Sequence, residues 1–353
     1  MKDPHERRSG FGFGPGTGTF GGRVGVEIAG TGRAHASKSL TNADLEKMMD
    51  TSDEWIVQRT GIRERRIIDK SKGESTKSLA AEALRKALAQ ARVEPDQLDL
   101  LICATMTPEM PCPPTACLVA NMIGMKGAGA FDLNGACSGF VYSLNMAHDL
   151  IRGGAYRRIA VVGADTLSDL MDYSTAGRGT AIIFGDGAGA VVLRATDDTS
   201  KGILAQGMHS NGEGWKDIYV PRHENDFPAG VACDPTKFNR VQMNGSGVFK
   251  FAVGTFPDLI AETLERAHVK AEHVDMYICH QSNMRILQAA RERFGLPEDK
   301  LYVNIDRVGN TVAASVPICL DECREQGRVK PGNKVMFLAF GGGLTWASSL
   351  WQM

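Results

Sequence analysis

A cysteine, a histidine and an asparagine each stand where an apolar run gives way to small residues. Cys137 lies in Gly135-Ala136-Cys137-Ser138-Gly139, after the strand-like Ala130-Phe131-Asp132-Leu133 and before Phe140 to Ala147, a run with no helix breaker. A thiol at a helix start faces the positive end of the dipole, which favours thiolate, the form that attacks carbonyl carbon. His280 opens His280-Gln281-Ser282-Asn283 directly after the apolar run Val274 to Cys279. Asn310 sits in Gly309-Asn310-Thr311, after Leu301 to Ile305 and before Ala313-Ala314-Ser315. A neutral imidazole donates from one nitrogen, and an amide donates without carrying charge. Two such donors suit an oxyanion site for enolate-like charge, which a carboxylate at position 310 would repel. Taken singly, each residue has a plainer reading: a core thiol, a satisfied core imidazole, a turn amide.

The elements that must position these residues alternate along the chain. Val24 to Ala29 reads as a strand, and Leu79, Ala83, Leu84, Ala87 and Leu88 give helical spacing between Ser78 and Ala91. Leu98 to Ala104 suits a fully buried strand, and Tyr156 to Gly163, Thr180 to Phe184 and Ala188 to Leu193 continue the series. This alternation points to an α/β fold. The chain also repeats itself at one constant offset: Leu88, Ala91, Val93, Asp99, Ile102 and Cys103 recur as Leu264, Ala267, Val269, Asp275, Ile278 and Cys279. Phe184-Gly185-Asp186-Gly187 is echoed by Phe340-Gly341-Gly342-Gly343. The expected division is a Gly-rich mobile tail over 1–22, a half over 23–195 holding Cys137, and a half over 196–353 holding His280 and Asn310. Stacked halves would bring matching strand ends together, where α/β sheets hold ligands, with Cys137, His280 and Asn310 each just past a strand.

Bulk properties exclude several classes. A net charge of −1 over 353 residues does not aim the molecule at nucleic acid or a membrane surface. No apolar run is long enough to span a bilayer, and the N-terminus lacks a secretory segment, so a cytoplasmic location is expected. Eight cysteines in so long a chain do not suggest a disulfide scaffold, and Cys103, Cys279 and Cys319 look like reduced core thiols. Cys319 and Cys323 share a helix face rather than a zinc-like pattern, so no metal site is expected.

With these motifs in place, the sequence resembles the β-ketoacyl-ACP synthase III family of the thiolase superfamily, from about Val24 to the C-terminus. Thr51 to Ile56 with Arg59 to Arg65 looks like the family's N-terminal signature, and Gly135 to Gly139 is similar to its nucleophile motif. His280 to Asn283, Gly309 to Thr311 and Phe340 to Trp346 complete the set. The resemblance implies a duplicated five-layer α-β-α-β-α thiolase-like fold and a homodimer. It implies a decarboxylative Claisen condensation of an acyl-CoA primer with malonyl-ACP to give 3-ketoacyl-ACP, initiating fatty acid synthesis. Cys137 would carry the acyl group, His280 and Asn310 would bind the thioester oxygen of malonyl-ACP, and the backbone N–H groups of Cys137 and Gly342 would hold the tetrahedral oxyanion. Trp55 and Arg59 would flank the adenine of CoA, with Arg178 and Thr51 nearby, while Gly245, Phe249, Ser282 and Asn283 would line the pantetheine tunnel. Lys250, Arg285 and Arg293 are the basic candidates for docking the acidic acyl carrier protein. No redox cofactor or metal is implied; acyl-CoA and malonyl-ACP are substrates.

The sequence departs from the family pattern at three points. Ser282 stands where Ala is common, Ala347 where Gly usually follows the last tryptophan of the motif, and Cys112 where many members place an aromatic. That aromatic caps the partner subunit's acyl pocket, so a cysteine there would admit longer or branched primers. Rival readings are a starter synthase of the same mechanism in polyketide or other secondary metabolism, a thiolase, and a Cys-His-Asn hydrolase. A thiolase would want a second cysteine as base, and a hydrolase of the papain kind would be expected to carry a signal segment and disulfides. A non-catalytic binding module would lack one of the three residues.

Overall fold

The computed structural model describes residues 24–353, so the stretch 1–22, expected as a mobile tail, lies outside the described residues. The first half runs β1 (Gly25–His35), β2 (Lys38–Thr41), α1 (Asn42–Glu46), α2 (Asp53–Thr60), β3 (Glu64–Ile67), α3 (Thr76–Ala91), β4 (Leu100–Ala104), α4 (Thr115–Ile123), β5 (Gly129–Leu133), α5 (Gly139–Arg152), β6 (Arg158–Asp165), α6 (Arg178–Ala181) and β7 (Gly187–Thr196). The second runs β8 (Gly202–Ser210), β9 (Ile218–Tyr219), β10 (Gln242–Met243), α7 (Gly245–Ala267), β11 (Met276–Cys279), α8 (Met284–Phe294), α9 (Ile305–Val308), α10 (Ser315–Glu325), β12 (Lys334–Gly341) and β13 (Thr345–Gln352).

Two sheets carry the molecule, and they repeat one plan. The first has the order β1-β7-β6-β4-β5 and the second β8-β13-β12-β11. In each, the first two ladders are antiparallel and the pairing onto β4 or β11 is parallel. The place that β5 fills in the first sheet is held in the second by one parallel bridge from Tyr277 to Leu301. Thus the helix and strand that recur in the sequence, α3–β4 and α7–β11, occupy equivalent positions. The two Gly-containing echoes precede equivalent strands, β7 and β13.

Helices fill three layers around the sheets. α5 and α10 lie between them: Phe140, Val141, Leu144 and Ile151 of one helix and Val316, Cys319 and Leu320 of the other share one core with Ile102 and Val161 of the first sheet and Ile278 and Phe337 of the second. α3 and α4 cover the outer face of the first sheet, and α7 and α8 cover the outer face of the second. The central strands β4, β6, β7, β11 and β12 are buried on two faces, which explains their largely apolar character. Each fully buried Leu, Ile, Val or Phe here contributes roughly 1.5–3 kcal/mol of transfer free energy. Local signals fix the helix ends. Ser75 caps α3 in a reciprocal box with Ser78, and Ser52 accepts from the Trp55 backbone to start α2, which Gly61 closes at φ +78°.

Two sequence expectations fail at the element level. Thr180 to Phe184 is not a strand: α6 ends at Ala181, and Phe184 makes only a single parallel bridge, to Asn310. Thr180 is buried, and Ala181, Ile182 and Phe184 are buried in the cluster that holds Cys137. Their hydrophobicity reports burial, which periodicity over five residues cannot separate from strand pairing. Leu301 to Ile305 likewise pairs only at Leu301, and the single-turn α9 intervenes before Asn310, so Asn310 does not stand directly past a strand. The Asn304 side chain there is occupied with Glu322 and its backbone N–H with Gln281, instead of with a ladder.

Candidate active site

Cys137 sits on a single tight turn, Ala136–Ser138, between β5 and α5. It is 7% exposed. Burial pushes its thiol well up from the ordinary range, and the buried carboxyl of Asp165 adds to the shift. The expectation that the helix start favours thiolate is therefore corrected. Loss of hydration outweighs a dipole contribution of about 1 kcal/mol, so the cysteine waits as a thiol and must hand its proton to a partner during reaction.

His280 follows β11, and its backbone N–H donates to Leu338 in β12 at 2.7 Å, fixing where the ring leaves the sheet. The ring is buried, lies edge-on to Phe340 at 5.6 Å between centroids, and has Nδ1 2.7 Å from the Ser315 hydroxyl. Burial pulls its pKa down to about 3, so the imidazole is neutral at physiological pH.

Asn310 is held from both sides of its backbone. Its N–H donates to Ile183 and its carbonyl accepts from Gly185, each at 2.9 Å. Gly309 before it adopts φ +71°, and a Cβ there would come within 2.9 Å of the Ile183 carbonyl, so no other residue fits this turn without strain. The Asn310 side-chain carbonyl accepts from the Val312 N–H at 2.9 Å. That bond fixes the amide orientation and leaves the NH2 group to face the site.

Cys137, His280 and Asn310 all line one cavity of about 490 Å³, together with Gly341 and Gly342. A Cβ on Gly341 would lie 2.7 Å from the Cys137 nitrogen, so the absence of a side chain is what lets the β12–β13 turn reach the cysteine backbone. Gly342 lines the same wall. Cys137 also borders a second cavity of about 810 Å³, walled in part by Met106, Leu167, Leu170, Phe184, Ile218 and Val241. The nucleophile thus stands where two cavities meet.

The remaining candidates sort by position. Trp55 and Arg59 line the smaller cavity, and the guanidiniums of Arg59 and Arg178 lie over the indole at 4.4 and 5.0 Å from its centroid. Arg178 also donates to the Asp50 carbonyl at 2.6 Å. Thr51 borders neither cavity, and its hydroxyl is buried without a partner among the described residues. Gly245, Phe249, Ser282 and Asn283 line the smaller cavity. Asn283 is already committed structurally: its carbonyl caps α8 and its NH2 group donates to Arg59 at 2.9 Å. The Ser282 hydroxyl is buried with no partner among the described residues. Arg285 stacks on Phe249 at 4.9 Å and lines the cavity, while Lys250 is exposed beside it. Arg293, eight residues on along α8, pairs with Asp258 at 3.4 Å. Cys112 is exposed and borders neither cavity of its own chain.

Sequence reasoning missed the turn behind the donors. Val312 adopts φ +53°, unusual for a β-branched residue, and the turn from 310 to 315 holds both Asn310 and His280. It missed Asp165 as well, whose carboxyl accepts from the N–H groups of Met106, Thr107 and Ala313 and ties that turn to the loop after β4. Its only sequence signal was a lone acid at the end of an apolar strand.

Comparison with known proteins agrees with this arrangement. The family model for 3-oxoacyl-[acyl-carrier-protein] synthase III matches residues 131–212, and that for the C-terminal part of the same enzymes matches residues 264–353. The chain is 45% identical over 328 residues to the β-ketoacyl-[acyl-carrier-protein] synthase III of Caldanaerobacter subterraneus subsp. tengcongensis, covering 93% of this chain and 98% of that protein. The crystal structure of 3-oxoacyl-[acyl-carrier-protein] synthase III from Aquifex aeolicus superposes with a TM-score of 0.85 at 41% identity, over 93% of this chain and all of that one. The priming β-ketosynthase of the R1128 polyketide pathway gives a TM-score of 0.86 at 31% identity, over 94% and 97% of the two chains.

Proposed function

The chain belongs to the β-ketoacyl-ACP synthase III family, condensing acyltransferases of thiolase-like fold, and from that premise we propose that Cys137, His280 and Asn310 carry its reaction. The observation that supports this most is the single cavity holding a buried thiol and two uncharged donors, next to the glycine turn at 341–342.

In this reading an acyl-CoA primer enters the smaller cavity past Trp55 and Arg59, with Arg178 swinging off the indole to leave its face to the adenine. The Cys137 sulfur attacks the thioester carbonyl, the thiol proton passes to the departing CoA sulfur, and acyl-Cys137 remains. Malonyl-ACP follows. Its thioester oxygen accepts from His280 and Asn310, which stabilise the enolate as carbon dioxide leaves. The enolate carbon attacks the acyl carbonyl, whose oxygen is held by the N–H groups of Cys137 and Gly342. Expulsion of the Cys137 sulfur and its reprotonation release 3-ketoacyl-ACP. Neutral donors suit this sequence, because an imidazolium would cost solvation at a buried site.

The acyl chain would extend from Cys137 into the larger cavity, whose cap from a partner subunit would include Cys112. The open edge of β5, with Ala130, Phe131 and Leu133 only half-buried, supports a homodimer that continues the first sheet. We divide the chain at residues 195/196 into its two halves. Arg285 and Lys250 are the stronger docking cations for acidic carrier protein, since Arg293 already faces Asp258. All eight cysteines are free, which supports a reducing, cytoplasmic setting, and no helix among the described residues is long and apolar enough to cross a membrane.

Identity to the synthase III relative (45%) exceeds that to the polyketide priming enzyme (31%), so initiation of fatty acid synthesis is the favoured role over secondary metabolism. The Cys-His-Asn hydrolase alternative fits neither the fold nor the relatives. The test is label transfer from acetyl-CoA to the protein: it is expected in the wild type and absent in Cys137→Ala. A wild type that takes no label would overturn the reading.

A further inference from the structure

We propose that Ser315 is a positioning residue that sets the tautomer of His280, placing the ring proton on Nε2 so that the decarboxylation step has its donor. The inference deepens the reading above and rests on it.

The geometry carries the argument. His280 Nδ1 and Ser315 Oγ are 2.7 Å apart, both buried, and no other hydrogen bond to the ring exists among the described residues. A neutral imidazole has one N–H, and its location follows from what the other nitrogen meets. The Ser315 hydroxyl has one proton and two candidate acceptors, His280 Nδ1 and the Val312 carbonyl at 2.9 Å. The Val312 carbonyl already accepts from the Ser315 backbone N–H, so it is satisfied without the hydroxyl. With the hydroxyl turned to Val312, Nδ1 would have to carry the ring proton and donate to the Ser315 oxygen, leaving Nε2 a bare acceptor toward the cavity. With the hydroxyl donating to Nδ1 instead, Nε2 keeps the hydrogen that faces the cavity, which is the assignment the decarboxylation step requires. The opposite assignment would present a lone pair to the enolate oxygen, which repels it.

The same turn sets the second donor. The Val312 N–H holds the Asn310 carbonyl and frees its NH2 group, so residues 310–315 preset both donors from one backbone feature. Only the enolate-forming step needs both as donors. Acylation of Cys137 passes the thiol proton to the departing CoA sulfur and does not need a donor at Nε2.

The test separates the two half-reactions. In Ser315→Ala, release of carbon dioxide from malonyl-ACP is expected to fall at least about tenfold while acyl transfer from acetyl-CoA to Cys137 stays within about threefold, the split that a misplaced donor produces. Ser315→Thr, which keeps the hydroxyl, is expected to restore most of the decarboxylation. In nitrogen-15-histidine-labelled wild type, the His280 signal, assigned by its loss in His280→Asn, is expected to report protonated Nε2. Protonated Nδ1 in the wild type, or equal losses of both steps in a folded Ser315→Ala, would overturn the proposal. Failure of the wild type to acylate Cys137 at all would instead overturn the reading on which it rests. Should Ser315→Ala not fold, the wild-type signal still decides.

Discussion

At Asn310 the difference between an amide and a carboxylate decides the chemistry. Asn310→Asp keeps the shape and the bond from Val312 N–H but places negative charge where enolate charge develops. Loss of one such donor costs about 10²–10³ in rate, and a repelling charge costs more. Decarboxylation of malonyl-ACP is expected to disappear while acylation of Cys137 by acetyl-CoA continues; quench-flow of the two steps checks this, and equal loss of both would contradict the assigned role. His280 makes a second residue-scale prediction. Its folded pKa of about 3 lies below the unfolded value, so the unfolded state binds the extra proton between those values and stability rises with pH across that window. Between pH 7.5 and pH 5 the wild type is expected to lose about 2 kcal/mol more than His280→Asn in denaturant titrations. Identical pH dependence in the two proteins would show that the ring is solvated.

Elements place these residues, and a single added carbon can undo the placement. Gly341→Ala puts a Cβ 2.7 Å from the Cys137 nitrogen, where backbone cannot yield cheaply. Its thermal midpoint is expected to correspond to a loss of about 1–3 kcal/mol. Turnover is expected to fall about 100-fold or more, because the turn carrying the Gly342 N–H is pushed off the nucleophile. Calorimetry and steady-state assay on one preparation read both effects. The elements show how legible the site was in the sequence. Cys137 announced itself by small residues at a strand-to-helix turn, and the repeat from α3–β4 to α7–β11 was visible as identities. Thr180 to Phe184 misled because a buried coil and a buried strand use the same residues. The roles of Val312 and Ser315 were invisible because they depend on φ +53° at one residue and a bond to another 35 positions away. The favoured thiolate failed for a related reason: the depth of Cys137 depends on both sheets together.

The whole molecule stacks two copies of one sheet plan against a shared pair of helices, which sets the cavities at the seam. Arg59 stands at one mouth, stacked on Trp55. Arg59→Ala is expected to raise the KM for acyl-CoA by about tenfold, in line with a partly desolvated cation–π and phosphate contact, and to leave the KM for malonyl-ACP nearly unchanged. The β5 edge makes the assembly prediction: Phe131→Lys, half-buried on that strand, is expected to shift sedimentation from dimer to monomer at micromolar concentration.

The claim on which the rest depends is that one cysteine is loaded by acyl-CoA and unloaded by a decarboxylated malonyl group. Intact-mass spectrometry of the purified chain reads this directly. After a mixed acyl-CoA pool, the wild type should gain one acyl mass mapped to Cys137, hold it in the absence of malonyl-ACP, and lose it as 3-ketoacyl-ACP appears, while Asn310→Asp should load and stay loaded. An acyl mass found elsewhere, or discharged by water at the same rate without malonyl-ACP, would contradict the account.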